Sequence, residues 1–366
     1  MNALVDTCGQ APGRPTFRAR RLRSLRLLVV LFIGSLLAGA ARPQADGAAA
    51  NEGTKLGPGR FLLKLTSSGR ERTYVLRVPP SYTGQKQLPL VLLLHGRGSR
   101  GAQVERYSAM GDKADAEGFI LACPDALGDP STWNAGLSGG MLGRADDVGF
   151  LRDLIDDLSK KLSVDPERIY VAGHSSGAMM SYRLASELSE RIAAIGVVAG
   201  SVGVRGPRGG VRTIPEPEHP VSVIAFHGTA DRLVPYDGGA SSELGVSFLS
   251  VAESMAFWAK HDGCAAEPRR ETSQGGNVIT ETYSGGKGGS EVVLYTIVGG
   301  NHMWPGMRGA RYAPVTRTRA TSELHTPAAR TRSSTSPSRG VGSSHRWMRR
   351  SPGPQSTASE SPPPGK

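Results

Sequence analysis

The stretch "IYVAGHSSGAMMSYRLA", Ile169 to Ala185, decides how this chain is read. It begins as an unbroken apolar run, turns at Gly173-x-Ser175-x-Gly177, and continues with apolar residues at helical spacing. Strand, sharp turn and helix together lift a serine hydroxyl above the edge of a sheet, where it can act as a nucleophile. The same five-residue pattern recurs in "NAGLSGGML" at Gly136, Ser138 and Gly140, with no strand run before it and no helical run after it. With 48 glycines in the chain, such a pattern arises by accident, so the flanks decide between the copies. Ser175 is the expected reactive serine, and Ser138 is read as part of a flexible loop.

Other apolar runs of strand length surround this one. "LPLVLLLHG" (Leu88 to Gly96), "FILACPDA" (Phe119 to Ala126), "IAAIGVVAGS" (Ile192 to Ser201), "VSVIAFHG" (Val221 to Gly228) and "EVVLYTIVGG" (Glu291 to Gly300) are continuous rather than alternating. That texture belongs to strands buried on both faces, as in parallel sheets. Between them, "DDVGFLRDLIDDLSKKL" sets Val148, Leu151, Leu154, Ile155 and Leu158 on one helical stripe. A further helix is expected through "SFLSVAESMAFWAKH". The alternation predicts an α/β fold with a mostly parallel, doubly wound sheet. Ahead of it, "RFLLKLT" and "RTYVLRVP" flank "SSGRE" and predict an N-terminal β-hairpin.

A serine hydroxyl needs a base, and the base needs an acid to orient it. In this architecture the three follow in the order Ser, Asp or Glu, His, each at the carboxyl end of a strand. "VIAFHGTADRLVPY" offers Asp231 directly after a strand run, with Asp237 a nearby competitor. The alternative for Asp231 is an ordinary turn aspartate. "VVLYTIVGGNHMWPG" offers His302 after the last strand run, with Gly299 and Gly300 to let its loop bend back. Of the eight histidines, His302 alone lies beyond both other members at a strand end; His261 falls mid-helix, and His325 and His345 fall in the tail.

Acyl transfer also needs hydrogen-bond donors for the oxyanion, each worth about 3 kcal/mol or somewhat more. The expected donors are the amides of Ser176, at the start of the helix, and Arg97, in the loop "LHGRGS". His95 and His174 are expected to pack or hydrogen-bond behind the site. Trp133, Asn134 and Trp304 are candidates for lining the cleft, because aromatic rings offer flat contact area; for Trp133 ordinary burial is the competing reading. No HExxH or CxxC pattern occurs, and neither a metal nor a cofactor is expected.

The formal net charge of +12 invites a nucleic-acid reading, but its location argues otherwise. Residues 1–26 carry +5 and residues 311–366 carry +8, which leaves −1 for the body. A nucleic-acid-binding domain carries its basic stripe on the folded part, so no nucleic-acid partner is expected. Residues 1–40 read as a signal peptide: an arginine-rich run precedes Leu27 to Ala40, an apolar core too short to span a bilayer comfortably. An uncleaved anchor is the competing reading. Arg20-Arg21 hints at the twin-arginine route. The expected location is secreted or periplasmic, without stable membrane insertion after cleavage. Residues 41–56 read as a linker and 57–306 as the catalytic domain. Residues 307–366 form a Ser/Pro/Arg-rich tail without apolar periodicity, which cannot bury enough surface to order itself. Of the three cysteines, Cys123 and Cys264 lie in the domain, and sequence alone does not say whether they meet.

Several segments in fixed order give the chain a resemblance. From about Arg60 to Gly306 it is similar to the polyhydroxybutyrate depolymerase and feruloyl esterase group of secreted α/β-hydrolases. The resemblance rests on "LPLVLLLHG", "DDVGFLRDLIDDLSKKLSVDPERIYVAGHSSGAMMSYRLA", "RIAAIGVVAGSV", "VIAFHGTADRLVPY" and "GGNHMWPG". It implies the α/β-hydrolase fold, Ser175 as nucleophile, Asp231 as acid and His302 as base. It also implies hydrolysis of carboxylic esters through an acyl-enzyme, on polyhydroxyalkanoates or on feruloyl or acetyl esters of polysaccharides. The competing functions are a non-catalytic glycan-binding protein on the same fold and a peptidase of the same architecture. Three departures stand out. Relatives carry a cysteine near Gly286 that pairs with the one at Cys264, and a cysteine pair near "NAGLSGGML"; neither is present here. Relatives also end in an amphipathic helix that covers the sheet. The tail here has no such stripe, so the ending, from about Leu324, is read as frameshifted or mis-called.

Overall fold

A computed structural model describes residues 56–137, 145–273 and 275–307. The signal peptide, linker, Ser138 and tail discussed above lie outside those residues, apart from Leu56 and Met307 at the two edges.

The strands, in chain order, are β1 (Gly59–Ser67), β2 (Arg70–Val78), β3 (Leu88–Leu94), β4 (Ile120–Pro124), β5 (Val164–His174), β6 (Ala194–Val198), β7 (Gly203–Arg205), β8 (Val211–Thr213), β9 (Ser222–Gly228), β10 (Gly239–Ala240), β11 (Ser247–Phe248), β12 (Arg269–Thr272), β13 (Val278–Tyr283) and β14 (Val292–Ile297). The helices are α1 (Gly101–Ser108), α2 (Met110–Glu117), α3 (Asp147–Lys161), α4 (Ser176–Glu187) and α5 (Val251–Asp262). Ten strands form one sheet in the order β1-β2-β4-β3-β5-β6-β9-β14-β13-β12. The central pairings, β4–β3–β5–β6–β9–β14, are all parallel, and both edges are antiparallel. β1 and β2 pair antiparallel from Gly59↔Val78 to Ser67↔Arg70, with Ser68 and Gly69 both at positive φ in the connecting turn.

The continuous apolar runs follow from a sheet covered on both faces. Along β3, Leu90, Leu92 and Leu94 enter one core while Val91 and Leu93 enter the other. β9 divides in the same way, with Val223 and Ala225 on one side and Ile224 and Phe226 on the other. Each such leucine, fully buried, contributes about 2 kcal/mol from removal of its surface from water. The first core takes in the apolar stripes of α3, α4 and α5; the second takes in Val104 of α1 and Met110 and Ala114 of α2. α3 starts where Asp146 accepts a hydrogen bond from the Gly149 amide, and α5 starts with a capping box between Ser250 and Glu253. Gly263, in the left-handed conformation, ends α5.

A second, four-stranded sheet of order β10-β11-β7-β8 was not expected from the sequence. Its strands are two or three residues long, too short to show a period. α1 and α2 were also not anticipated, since their eight-residue spans hold few apolar side chains. Cys123 is buried on β4, Cys264 follows α5, and both are free thiols. Cys264 faces Gly286: a Cβ on that glycine would stand 2.9 Å from its Sγ. The position that resemblance marks for the missing cysteine is therefore beside Cys264.

Candidate active site

The Ser175 turn is built by close backbone approach. A Cβ on Gly173 would lie 2.2 Å from the carbonyl oxygen of Gly177, and one on Gly177 would lie 2.3 Å from that of Leu94. No side chain fits at either place, which is the physical reason for both glycines of the motif. Ser175 itself takes φ 56° and ψ −117°, a backbone region that a non-glycine residue enters only when its surroundings hold it there. Its amide donates to Val198 O at 2.9 Å, and its carbonyl accepts from Met179 at 3.0 Å, opening α4. Ser175, the expected nucleophile, thus caps the helix whose first amide, that of Ser176, is the expected oxyanion donor.

The loop after β3 lies against this turn. A Cβ on Gly96 would be 3.4 Å from Ser175 Cβ. Gly96 O is fixed by His95 Nδ1 at 2.7 Å and by the Ser99 amide at 3.1 Å. His95 Nε2 accepts from the Ala126 amide at 3.0 Å, so Nδ1 carries the proton and the ring is neutral. Burial also holds the His95 pKa below its ordinary value. A peptide unit points its carbonyl and its N–H to opposite sides. Anchoring Gly96 O inward therefore turns the Arg97 N–H the other way. Trp133, expected in the cleft, is fully buried; its Nε1 donates to His95 O at 2.9 Å and its ring tilts against the His95 ring. It braces the loop from behind rather than lining a cleft. Asn134 is likewise occupied: its amide donates to Asp147 Oδ2 at 2.8 Å, its side chain donates to Ala145 O at 2.9 Å, and its carbonyl accepts from Arg183 at 2.8 Å.

Asp231 and His302 come together from the loops after β9 and β14. These loops are pressed so closely that a Cβ on Gly228 would stand 2.2 Å from Gly300 O. The Ala230 amide donates to Gly300 O at 2.8 Å. His302 Nδ1 lies 2.7 Å from Asp231 Oδ2. Asp231 Oδ1 accepts from the amides of Leu233 at 2.9 Å and Val234 at 3.0 Å. Burial by itself would raise the carboxyl pKa, but hydrogen bonds from His227 and His302 more than reverse it and hold Asp231 well below the ordinary carboxylate range. An ionised carboxylate only accepts, so the His302 proton sits on Nδ1 and Nε2 keeps its lone pair. Asp237, the competing acid, is exposed.

The His302 ring centroid is 5.2 Å from that of His174, the residue before Ser175. Burial, and next the neighbouring His302, lower the His174 pKa to about 3, so His174 is neutral in the fold. Tyr107 OH lies 3.2 Å from His174 Nδ1. Trp304 is buried edge-on to His174 with centroids 6.4 Å apart, a supporting wall rather than an open face. A cavity of about 480 Å³ opens beside His302, lined by Ala230, Arg232, Leu233, Asn301 and Met303. His227, which the sequence reading passed over, places Nε2 3.3 Å from Asp231 Oδ2. Its only signal was a histidine ending a buried strand four residues before the acid. Among the described residues, no group of three or more His, Cys, Asp or Glu side chains is placed to hold a metal ion, and no helix is long and apolar enough to cross a membrane.

Comparison with known proteins places the chain in a family. Residues 72–206 match the family described as esterase PHB depolymerase. The chain is 33% identical over 258 residues to the NocK protein of Nocardia uniformis subsp. tsuyamanensis, spanning 65% of this chain and 72% of that protein. The chain belongs to the PHB depolymerase esterase family. The chain is also 34% identical over 236 residues to feruloyl esterase B from Piromyces equi, and the match covers 63% of this chain and 42% of that larger protein. In fold, this member is similar to an acetyl xylan esterase from Aspergillus awamori, with TM-score 0.51 and 16% identity over 67% of this chain and 94% of the other. That likeness confirms the α/β-hydrolase type of sheet.

Proposed function

We propose that this chain is an exported serine hydrolase of carboxylic esters that works through an acyl-enzyme. The observation that carries the proposal is the His302–Asp231 pair at 2.7 Å, whose imidazole lies 5.2 Å, ring to ring, from His174, the residue before the strained Ser175. Ser175 Oγ attacks the ester carbonyl carbon as His302 Nε2 takes its proton. Charge moving onto the carbonyl oxygen is received by the Arg97 and Ser176 amides. The tetrahedral intermediate collapses, the C–O bond to the alcohol breaks, and the departing alcohol takes the proton from His302. Water then repeats the attack on the acyl-enzyme, with His302 again as base, and releases the acid and Ser175. Asp231 stays ionised throughout and stabilises the transient imidazolium.

The relatives' names support the substrate class proposed here: feruloyl or acetyl esters on polysaccharides, or polyhydroxyalkanoate-type esters. Export, by the signal peptide read in residues 1–40, brings the enzyme to such polymers. The test is a panel of p-nitrophenyl acetate, p-nitrophenyl butyrate, ethyl ferulate and hydroxybutyrate oligomers, run on the wild type and on Ser175→Ala. Turnover of at least one ester by the wild type and its loss in the variant supports the proposal. Equal turnover by both proteins refutes it.

A further inference from the structure

The mechanism above leaves the buried imidazole of His227 unused. His227 sits near the end of β9 with only 3% of its side chain exposed. Its Nε2 lies 2.8 Å from Val234 O, and a carbonyl can only accept, so Nε2 carries the proton. The same N–H faces Asp231 Oδ2 at 3.3 Å, the oxygen that also holds His302. Val234 closes the arrangement, because its amide donates to Asp231 Oδ1 while its carbonyl receives His227. The ring itself is held in place. Tyr236 meets it edge-on at 5.9 Å, Tyr236 OH lies 2.7 Å from Thr296 Oγ1, and Thr296 is the β14 neighbour of His227 in register.

We propose that His227 is a positioning residue for the acid–base pair, a second imidazole donor that fixes Asp231 Oδ2 and shares its charge with His302. The inference rests on the serine-hydrolase reading given above. Without the His227 donor, the carboxylate is less well oriented, and all of the Oδ2 charge falls on the His302 Nδ1–H. Poorer orientation lowers kcat. A stronger pull stabilises the His302 imidazolium, which moves the acid limb of the kcat/KM profile to higher pH. The other titratable or charged groups around the pair are His174 at the end of β5, Arg232 beside Asp231, and Tyr236. All remain in the variants, so the comparison isolates His227.

The test uses the full chain with His227→Leu, which removes the donor, and His227→Gln, whose amide nitrogen falls near the place of Nε2. In His227→Leu, kcat for p-nitrophenyl acetate should fall about 10-fold with KM little changed, less than the ~100-fold that a 1 Å misplacement costs. Its acid limb should move up by about half a pH unit. His227→Gln should recover most of both losses. The low-field proton resonance of the His302 Nδ1–H should shift in His227→Leu and return toward its place in His227→Gln. If His227→Leu does not fold, His227→Asn replaces it, since its shorter amide does not reach Val234 O or Asp231 Oδ2. Unchanged kcat and pH profile in the donor-less variant would overturn the inference, as would a Gln variant as impaired as the Leu variant, the mark of simple packing. Ser175→Ala run in parallel separates the two levels. A dead Ser175→Ala with an unaffected His227→Leu ends this inference alone, whereas an active Ser175→Ala ends the functional reading beneath it.

Discussion

His302 Nδ1 stands 2.7 Å from Asp231 Oδ2, across 71 residues of chain. The distance fixes which imidazole nitrogen is free, and in the proposed mechanism that tautomer makes His302 a usable base. Asp231→Asn keeps the shape of the acid but presents an amide that can donate to Nδ1, which favours the wrong tautomer. It should lower kcat about 10⁴-fold, as the equivalent change does in the chymotrypsin-type triad. Steady-state hydrolysis of a short p-nitrophenyl ester checks this, and a loss under tenfold would remove Asp231 from the proposed role.

The turn that presents the serine is specified by shape. Gly173→Ala places a methyl group 2.2 Å from Gly177 O, a backbone atom that cannot step aside. The variant should lose about 3 kcal/mol or more, the upper range for overpacking. Urea denaturation measures it, and a variant as stable as the wild type would show that the turn is looser than described.

Behind the site, Arg72 and Asp147 form a buried ion pair at 2.7 Å that ties β2 to the start of α3. Arg72 also donates to Asp125 O and lies over the Phe150 ring, while Asp147 receives the Asn134 amide. Arg72→Leu leaves the carboxylate buried without its cation and should cost about 3 kcal/mol or more. The double variant Arg72→Leu/Asp147→Leu should recover part of that loss. A single variant within 1 kcal/mol of wild type by chemical denaturation would contradict this account.

Much of this was legible in the sequence because a sheet covered on both faces writes itself as unbroken apolar runs. β3, β5, β9 and β14 were found that way, and the strand ends then located Ser175, Asp231 and His302. Strands such as β8 and β10, short and exposed, carry no period to read. Trp133 stays open between two readings in the sequence because an indole suits a cleft wall and a buried brace equally; its burial and its bond to His95 O favour the brace. His227 went unread for a related reason. A histidine within an apolar strand reads as packing until the loop that follows folds its carboxylate back onto it.

Stability should fall on the acid side through His174. Its pKa in the fold, about 3, lies below the unfolded value near 6.5. Between those two values the unfolded chain binds a proton that the folded chain does not, so stability declines as pH falls through that window. His95, also held low by burial, acts in the same direction. Because the His174 ring keeps some exposure, its share between pH 6.5 and 5 is on the order of 1 kcal/mol. Asp231 adds a further loss only below about pH 4, where the unfolded carboxyl begins to bind a proton that the depressed group in the fold refuses. The slope of stability against pH from 6.5 to 5 should be shallower in His174→Gln than in wild type. Equal slopes would show that His174 is not the group responsible.

The central claim is that the hydroxyl of Ser175, and no other, is the activated nucleophile. A fluorophosphonate ester reacts with such a hydroxyl and stays attached, and peptide mass spectrometry then locates the adduct. The account predicts one adduct per chain, on Ser175 within the peptide that contains Met179 and Met180, formed in wild type and absent from both Ser175→Ala and His302→Ala. An adduct on Ser138, or labelling of Ser175 at the same rate without His302, would contradict it.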